Sequence, residues 1–551
     1  MNNRPVPLFE RAAQNKNAYP IQVLGWFLAI WTIVLSLWLY LYSVRHGGIP
    51  CWDGFERCAW GSHIWRDIQH LDFYHLWKHT NAQVVWPPLH SWLIGLSFSF
   101  FGPSLAAARV ISLLAFFASG IITFCWFLRR RDSYSWVGGV IAWVLFATAP
   151  IVIQQAVGIM SEGVGLFFTL LVLFSLPQND DVKASRWVWS GLILGSFFLY
   201  KYNYAFLTYA GILVARYFQA RCSLRRMIRI NNLLLFGLPV LMMVLWFLVD
   251  SQTKWDNLMY FVVNNPAAHH PWGFSTLFYY PQVIPGAFFA IPWMSVLCLA
   301  LVFIVLPFGR KLTLSSPVTA CCLVHFAAVS LHPMKIDRFQ FITMGLFFIM
   351  TGEAVVVLCA LFVKRWHRRL LMQMVYVGVI CLLAVSVNYQ AYKFRQPQLH
   401  QQNVYIAPLL AVADEIDDAD SMAMFITHEQ DCPPAATFYL MTGKDILQRD
   451  EIKNKSNWNF LFLFQPHDAV LALSEEERLR HLNYQLYLNK SNKIVIIEST
   501  EPSGITIFPT VFAGVQEYIE LIPQLQKYHQ VFDRTFPQAK ARVRILESSV
   551  E

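Results

Sequence analysis

The chain alternates long apolar runs with short polar segments, and this alternation predicts a bundle of membrane-spanning helices. Runs of about 20 apolar residues are long enough to cross a hydrocarbon core. Residues 21–42 predict the first span, followed by an outer loop over 45–86 rich in Trp and His. Within that loop, 55–68 predicts an amphipathic helix suited to a lipid–water boundary. Residues 87–101 are apolar but few, and predict a re-entrant or broken segment. A full crossing there would put Arg129, Arg130 and Arg131, which end the span 106–128, on the wrong side for clustered cations.

Further along, the runs 136–149 and 159–176 flank Pro150, and 187–200 and 205–217 flank Lys201. The run 232–249 leads to a second outer loop, 250–286. Runs at 287–306, 318–331, 339–362 and 371–387 complete the spans. Near residue 388 the pattern changes to that of a soluble protein. Short β-like runs at 422–426, 459–464 and 493–497 alternate with helical stretches such as 474–486. The expected fold is a polytopic α-helical membrane protein with a small C-terminal soluble α/β domain. The membrane domain is expected over 1–388 and the soluble domain, outside the cytoplasm, over 389–551.

Composition agrees with the pattern. Of 551 residues only 14% are charged and 56% are hydrophobic, too few charges for the surface of a soluble protein of this size. The net charge of +9 does not point to nucleic acid, because the cations gather at the ends of spans. Arg129 to Arg131, Arg225 with Arg226 and Arg229, Arg310 with Lys311, and the cluster at 364–369 follow the positive-inside distribution. The first apolar run is long for a signal core and reads as a retained helix. The ten cysteines are scattered without a C-x-x-C, which argues against a zinc site or a disulfide framework.

Candidate chemistry falls on one side of this map: Asp53, Glu56, Glu162, Lys201, His269, His270, Lys335 and Arg338 all belong to the outer face. A cluster of ionisable groups at a membrane edge calls for partners or a ligand. Asp53 is the leading base, able to take a proton from an attacking hydroxyl or amine. It suits a divalent-metal ligand, a solvated loop position or a helix cap as well. Glu56 shares a helical face with it only if the helix begins at Asp53. Its alternative is an ion pair with Arg57 or Arg66. Glu162, at the mouth of an apolar run, is either functional or structurally paired. Lys201, in LYKYNYAF, is either an interfacial cation among Tyr200, Tyr202 and Tyr204 or a point charge for a lipid-linked phosphate. Lys335 and Arg338 stand at helical spacing and suit an anionic leaving group. His269, His270 and Trp272, in NNPAAHHPWGF, fit a sugar or phosphate contact as readily as a solvated loop. No ligand set at metal spacing accompanies them.

The order of these features resembles the GT-C integral-membrane glycosyltransferases, in the branch holding protein O-mannosyltransferases and lipid A aminoarabinose transferases. The similarity runs over about residues 21–362. Trp52-Asp53-Gly54-Phe55-Glu56-Arg57 matches the opening of the family's first outer loop, where an Asp-Glu pair is usual. Here Gly54 replaces the adjacent Glu, and Glu56 is a substitute. Trp86-Pro87-Pro88-Leu89-His90-Ser91-Trp92, Phe101-Gly102 and Arg109 give the strongest match. Ala149-Pro150 before Ser161-Glu162, Lys201, His269-His270-Pro271-Trp272 and the turn from Lys335 to Phe339 follow in family order.

The resemblance implies an inverting transfer of a sugar from a polyprenyl-phosphate donor to an extracytoplasmic acceptor: a glycolipid, a polysaccharide or a protein. Asp53, with Glu56 and Glu162, would be catalytic. Lys201, Arg109, Lys335 and Arg338 would hold the donor phosphate, and His269, His270 and Trp272 the sugar or acceptor. It implies no bound metal, leaves a dependence on a divalent cation open, and places the chain among membrane lipids, in a bacterial inner membrane. The competing readings are a transporter or flippase of lipid-linked glycans, which would show mid-span charges and a repeat between halves, and a non-catalytic relative.

Overall fold

The computed structural model describes residues 53–81, 83, 87–129, 135–177, 182–223, 229–252, 254–255, 274–289, 291–308, 312–332 and 337–366, with part of 30–41. In the C-terminal part it describes 411–412, 414–415, 422–426, 460–461, 493–499, 528–537 and 541–548. The chain divides into two compact units. The first is drawn from Met1–Tyr42, His70–Leu93 and Arg109–Phe394; the second is drawn from Ser43–Gln69, Ile94–Ala108 and Arg395–Glu551.

The expected loop 45–86 is largely helical. Helix α1 spans Asp53–Gln69 and α2 spans Phe73–Asn81. The reason is local: neither stretch contains a proline, and Asp72 caps α2 by accepting the His75 N–H at 3.0 Å. The amphipathic segment foreseen at 55–68 is part of α1, which starts two residues earlier. It buries Arg57, Cys58, Ser62, Ile64 and Asp67 rather than lying open on one side.

Helix α3, Leu89–Phe101, is only 13 residues long. At 1.5 Å per residue it reaches about 20 Å, short of a full crossing. It ends at Gly102, whose φ of +78° turns the chain and lets the Gly102 N–H bond the Phe98 carbonyl at 2.9 Å. Helix α4, Leu105–Leu128, is membrane-length. Helices α5 (Ser135–Thr148) and α6 (Pro150–Val157) meet at a bend of 66°. The break expected at Pro150 is present, and beyond it Pro150 opens a short helix of its own, because a proline is tolerated at a first helical position. Helices α7 (Ser161–Ser175), α8 (Ala184–Tyr200), α9 (Tyr202–Gln219) and α10 (Ile230–Leu248) follow.

The second outer loop is also shorter than expected, since α11 occupies Phe274–Phe288. The span expected from residue 287 begins at α12, Met294–Ala300, and continues through a π turn at Leu301–Val305 to Leu306–Phe308. Helix α13 is Pro317–Leu331; a 3-10 turn, Asp337–Gln340, leads into α14, Phe341–Trp366. The expected span 371–387 lies outside the described residues. Among the described residues, Leu105–Leu128, Ile230–Leu248 and Arg338–Leu361 are long and apolar enough to cross a membrane, and the bent pair α5–α6 makes a fourth candidate. The protein is a multi-pass membrane protein.

The core of the first unit joins Phe127, Trp187, Phe197, Tyr200 and Phe348, all fully buried. Three helix pairs run side by side: α5 with α14, α8 with α10, and α9 with α13. Each pair meets at a glycine. A Cβ at Gly352 would stand 2.4 Å from the Gly138 carbonyl oxygen, one at Gly191 2.6 Å from that of Leu234, and one at Gly211 2.5 Å from Cys321 Cα. In a bilayer no hydrophobic force drives helices together, so close van der Waals approach through small residues does it.

In the second unit, α1 meets α3 near the middle of that helix, where a Cβ at Gly61 would stand 2.6 Å from Ile94 Cγ2. The described C-terminal strands form one five-stranded sheet in the order β2-β1-β3-β5-β4. They are β1 (Met422–Ile426), β2 (Phe460–Leu461), β3 (Lys493–Ser499), β4 (Tyr528–Phe536) and β5 (Ala541–Ser548). β1 runs parallel to β2 and β3, while β5 is antiparallel to β3 and β4. The strands foreseen at 422–426 and 493–497 are β1 and β3. The hairpin β4–β5 was not foreseen, because in β4 the partly buried aromatics Tyr528, Phe532 and Phe536 recur only at every fourth position and the residues between them are exposed, which leaves no strict apolar–polar alternation to read. The helix foreseen at 474–486 lies outside the described residues.

Candidate functional site

Among the described residues, a buried charged cluster is built from two helix breaks. After the α5–α6 bend, Gly158 is extended and α7 restarts at Ser161, so Glu162 falls in its first turn. A carboxylate there faces the positive end of the helix dipole. Lys201 stands in the single extended residue between α8 and α9. An ammonium at the end of α8 faces the negative end of that helix. The two termini bring their charges together: Lys201 Nζ is 3.3 Å from Glu162 Oε1 and donates to Ser161 Oγ at 2.5 Å.

Around this pair the Tyr204 hydroxyl donates to Glu162 Oε1 at 3.2 Å, and Lys201 Nζ lies 4.6 Å from the Tyr204 ring centre. The Tyr200 hydroxyl reaches the Ser161 carbonyl at 3.4 Å, and the His90 ring packs 5.0 Å from that of Tyr200. From the other side Arg338 brings Nε to 3.8 Å from Glu162 Oε1 and Nη1 to 3.6 Å from Met160 Sδ. Glu162 is fully buried and Lys201 is 3% exposed, whereas Arg338 is 20% exposed. The interfacial-cation reading of Lys201 therefore fails: its ammonium is inside the protein.

The cluster carries two cations for one carboxylate. Among the described residues, Glu162 Oε2 has no hydrogen-bond partner. This set favours an anion bearing a hydrogen-bond donor, such as a phosphate ester carrying a hydroxylated group. It does not fit a divalent cation, which takes several oxygen ligands rather than two cations. Among the described residues, no three His, Cys, Asp or Glu side chains gather at metal-binding distance.

Of the residues singled out from sequence, the structure brings together Glu162, Lys201 and Arg338. Arg109 is buried near the start of α4. Asp53 opens α1, so positions 53 and 56 lie one turn apart; the side chains of Asp53 and Glu56 lie outside the described part. Lys335, His269, His270 and Trp272 lie outside the described residues. Tyr204, Ser161 and Tyr200 had not been singled out as site residues. Ser161 and the tyrosines adjoin Glu162 and Lys201 in sequence, but only the fold shows that two segments about 40 residues apart converge.

Deeper in the same helices lies a second polar chain. Thr169 and Thr208 hydroxyls are 3.2 Å apart, and Thr208 Oγ1 is 3.0 Å from His325 Nε2. It ties α7, α9 and α13 below the charged cluster, with Thr208 one helical turn beyond Tyr204.

Comparison with known proteins bears on this arrangement. Residues 85–249 match the family model described as dolichyl-phosphate-mannose-protein mannosyltransferase, a stretch that contains Glu162 and Lys201. No curated protein sequence matches the chain. The chain is similar in structure to ArnT from Cupriavidus metallidurans, in the apo state and bound to undecaprenyl phosphate. For each the TM-score is 0.60 and the identity 14%, over 95% of this chain and 98% of the other. The chain has the GT-C fold. The chain is also similar to the oligosaccharyltransferase of Archaeoglobus fulgidus in the apo form, with a TM-score of 0.48, 12% identity and coverage of 86% of this chain and 69% of the other.

Proposed function

We propose that this GT-C chain is an inverting glycosyltransferase that moves a sugar from a polyprenyl-phosphate donor to an acceptor outside the cytoplasm. The observation that carries this reading is the buried Glu162 held between Lys201 and Arg338, an excess of positive charge at the ends of short apolar helices. A phosphate monoanion or dianion entering there is compensated without a metal ion. The match at 85–249 and the likeness to a protein solved with undecaprenyl phosphate support the same donor class.

In this reading Lys201 and Arg338, with Arg109 and Lys335, hold the donor phosphate. The acceptor hydroxyl or amine attacks the anomeric carbon. As the new bond to that carbon forms, its bond to the phosphate oxygen breaks, and polyprenyl phosphate leaves with the electron pair. Asp53 takes the acceptor's proton, and Glu56 is the second acid. Glu162 orients Lys201 and offers Oε2 to a donor on the sugar. His269, His270 and Trp272 flank the sugar or acceptor. The location that goes with this chemistry is a bacterial inner membrane, with the domain over 389–551 on the outer side and membrane lipids around the rest.

The test is turnover of the purified protein against a panel of polyprenyl-phosphate sugars, reading free polyprenyl phosphate. Sugar-selective release that disappears in Asp53→Asn is the expected result. Failure to bind any such lipid would remove the donor class and return weight to lipid-linked glycan transport.

A further inference from the structure

The charged cluster and the polar chain beneath it draw on the same three helices. Helix α7 carries Glu162 and, two turns further on, Thr169. Lys201 immediately precedes α9, which carries Tyr204 and, one turn further on, Thr208. Helix α13 carries His325 and precedes Arg338 in the chain. Gln340, in the same 3-10 turn as Arg338, donates to Ser330 Oγ on α13 at 3.5 Å. Thr169, Thr208 and His325 are fully buried.

The hydroxyl hydrogens give this chain a direction. Thr169 has one, and donates it to the Gly165 carbonyl at 3.0 Å. Its oxygen therefore accepts from Thr208, 3.2 Å away. That donation uses the one hydroxyl hydrogen of Thr208, so at 3.0 Å Thr208 Oγ1 accepts from His325 Nε2–H. Among the described residues, His325 Nδ1 has no hydrogen-bond partner, so the donated bond is the polar hold of the ring. Helix α13 grips the same level of α9 a second time: Cys321, one turn before His325, donates from Sγ to the Thr208 carbonyl at 3.6 Å.

Rotation of α9 is what these bonds restrain. At Gly211 the α9–α13 contact is a close approach through a glycine, which brings backbones together without fixing their rotation. A directional hydrogen bond does fix it. With side-chain tips about 6 Å from a helix axis, a rotation of about 20° shifts them by about 2 Å. Such a shift would part the Tyr204 hydroxyl from Glu162 Oε1, 3.2 Å away, and displace Lys201 at the head of the same helix. Apolar side chains would fill this layer as well; a polar group at one level of a bundle is suited to setting register. We propose that His325 is a positioning residue: by donating to Thr208 it fixes the rotation of α9, and through Tyr204 and Lys201 it holds the phosphate-binding geometry of the Glu162 cluster. The role toward phosphate rests on the function proposed above; the placement of Tyr204 does not.

The test compares the full-length protein in detergent with His325→Met, which fills the space without a donor, and His325→Gln, whose amide N–H donates. Binding of polyprenyl phosphate, measured well below the unfolding temperature, is expected to weaken about tenfold in His325→Met and to stay near the parent value in His325→Gln. A Met variant that melts lower but binds as the parent does would make His325 a packing residue only and overturn the proposal. A Gln variant as weak as the Met variant would overturn it too. A double-mutant cycle with Tyr204→Phe gives a second reading. Once the Tyr204 hydroxyl is gone its placement no longer matters, so the combined loss in thermal unfolding is expected to be smaller than the sum of the single losses. Additive losses would overturn the link between His325 and Tyr204. If the parent binds no polyprenyl phosphate, the proposed function fails while this cycle still decides the role of His325. Thr208→Val breaks the same bond from the other side and gives both readings if His325→Met fails to accumulate.

Discussion

The Tyr204 hydroxyl bonds the same Glu162 oxygen that Lys201 approaches, at 3.2 and 3.3 Å, and Arg338 Nε stands 3.8 Å from it, so one carboxylate oxygen gathers all three side chains. Such concentration makes the cluster brittle toward loss of the acid and more tolerant of loss of a neighbour.

Replacing the acid by its neutral isostere, Glu162→Gln, leaves Lys201 and Arg338 facing one another without a counter-charge. The expected cost is about 3 kcal/mol, the lower end for a broken buried pair because Arg338 still reaches solvent. Thermal unfolding in detergent measures it, and polyprenyl phosphate should restore part of the loss. A variant as stable as the parent would show that the two cations do not depend on Glu162.

Lys201→Ala should weaken polyprenyl-phosphate binding by about tenfold to a hundredfold, corresponding to a charge-assisted hydrogen bond of roughly 1.5–3 kcal/mol. Acceptor affinity should change much less. Equal affinity for the phosphate in a direct binding assay would remove Lys201 from the phosphate site.

Tyr204→Phe keeps the ring beside Lys201 and deletes one hydroxyl. The expected loss of stability is about 1–2 kcal/mol, smaller than that of the Glu162 variant. A larger loss would mean that the ring itself had moved, which crystallography or cross-linking between α7 and α9 would reveal.

Gly352→Ala places a methyl group 2.4 Å from the Gly138 carbonyl, against backbone that cannot step aside. It should destabilise by about 1–3 kcal/mol. Gly286→Ala is the control: nothing lies within 4 Å of its Cβ position in α11, so thermal unfolding should show no loss.

In the C-terminal sheet, Arg542 grips Asp533 with two bonds of 2.9 and 2.6 Å. These hydrogen bonds hold the Asp533 carboxyl below its ordinary range, with further help from the charges of Arg542 and Arg544. The link therefore contributes in full above the ordinary carboxylate pKa and is lost as pH falls through the lowered folded value. Hydrogen exchange at β4 and β5 should rise in that acid window, and Asp533→Asn should abolish the pH dependence. An unchanged profile in the variant would exclude the link.

The sequence made the spans legible because a bilayer imposes length and apolarity on every crossing, and α4, α10 and α14 obey both. It misjudged the places where length fails. The helix at Pro150–Val157 has only eight residues, and α12 breaks into a π turn, so neither carries a full apolar signature. Glu162 and Lys201 stood out in sequence because charge is rare inside apolar runs. Their pairing did not, because it depends on two helix termini that meet only in the fold. Tyr204 was hidden for a related reason: a tyrosine beside a lysine looks the same at a membrane interface as it does inside a bundle.

The π turn in α12 has a geometric consequence. Cys298, Val302 and Leu306 are all buried, and each follows the last by four positions. In an uninterrupted α-helix that spacing drifts by about 40° per step, and Leu306 would be turned about 80° away from Cys298. A wider turn of five residues cancels the drift, so the buried stripe runs parallel to the helix axis while Val296, Leu299, Phe303 and Ile304 stay exposed. The turn acts as a phase correction: it lets a short helix keep the same side toward its neighbours from one end to the other.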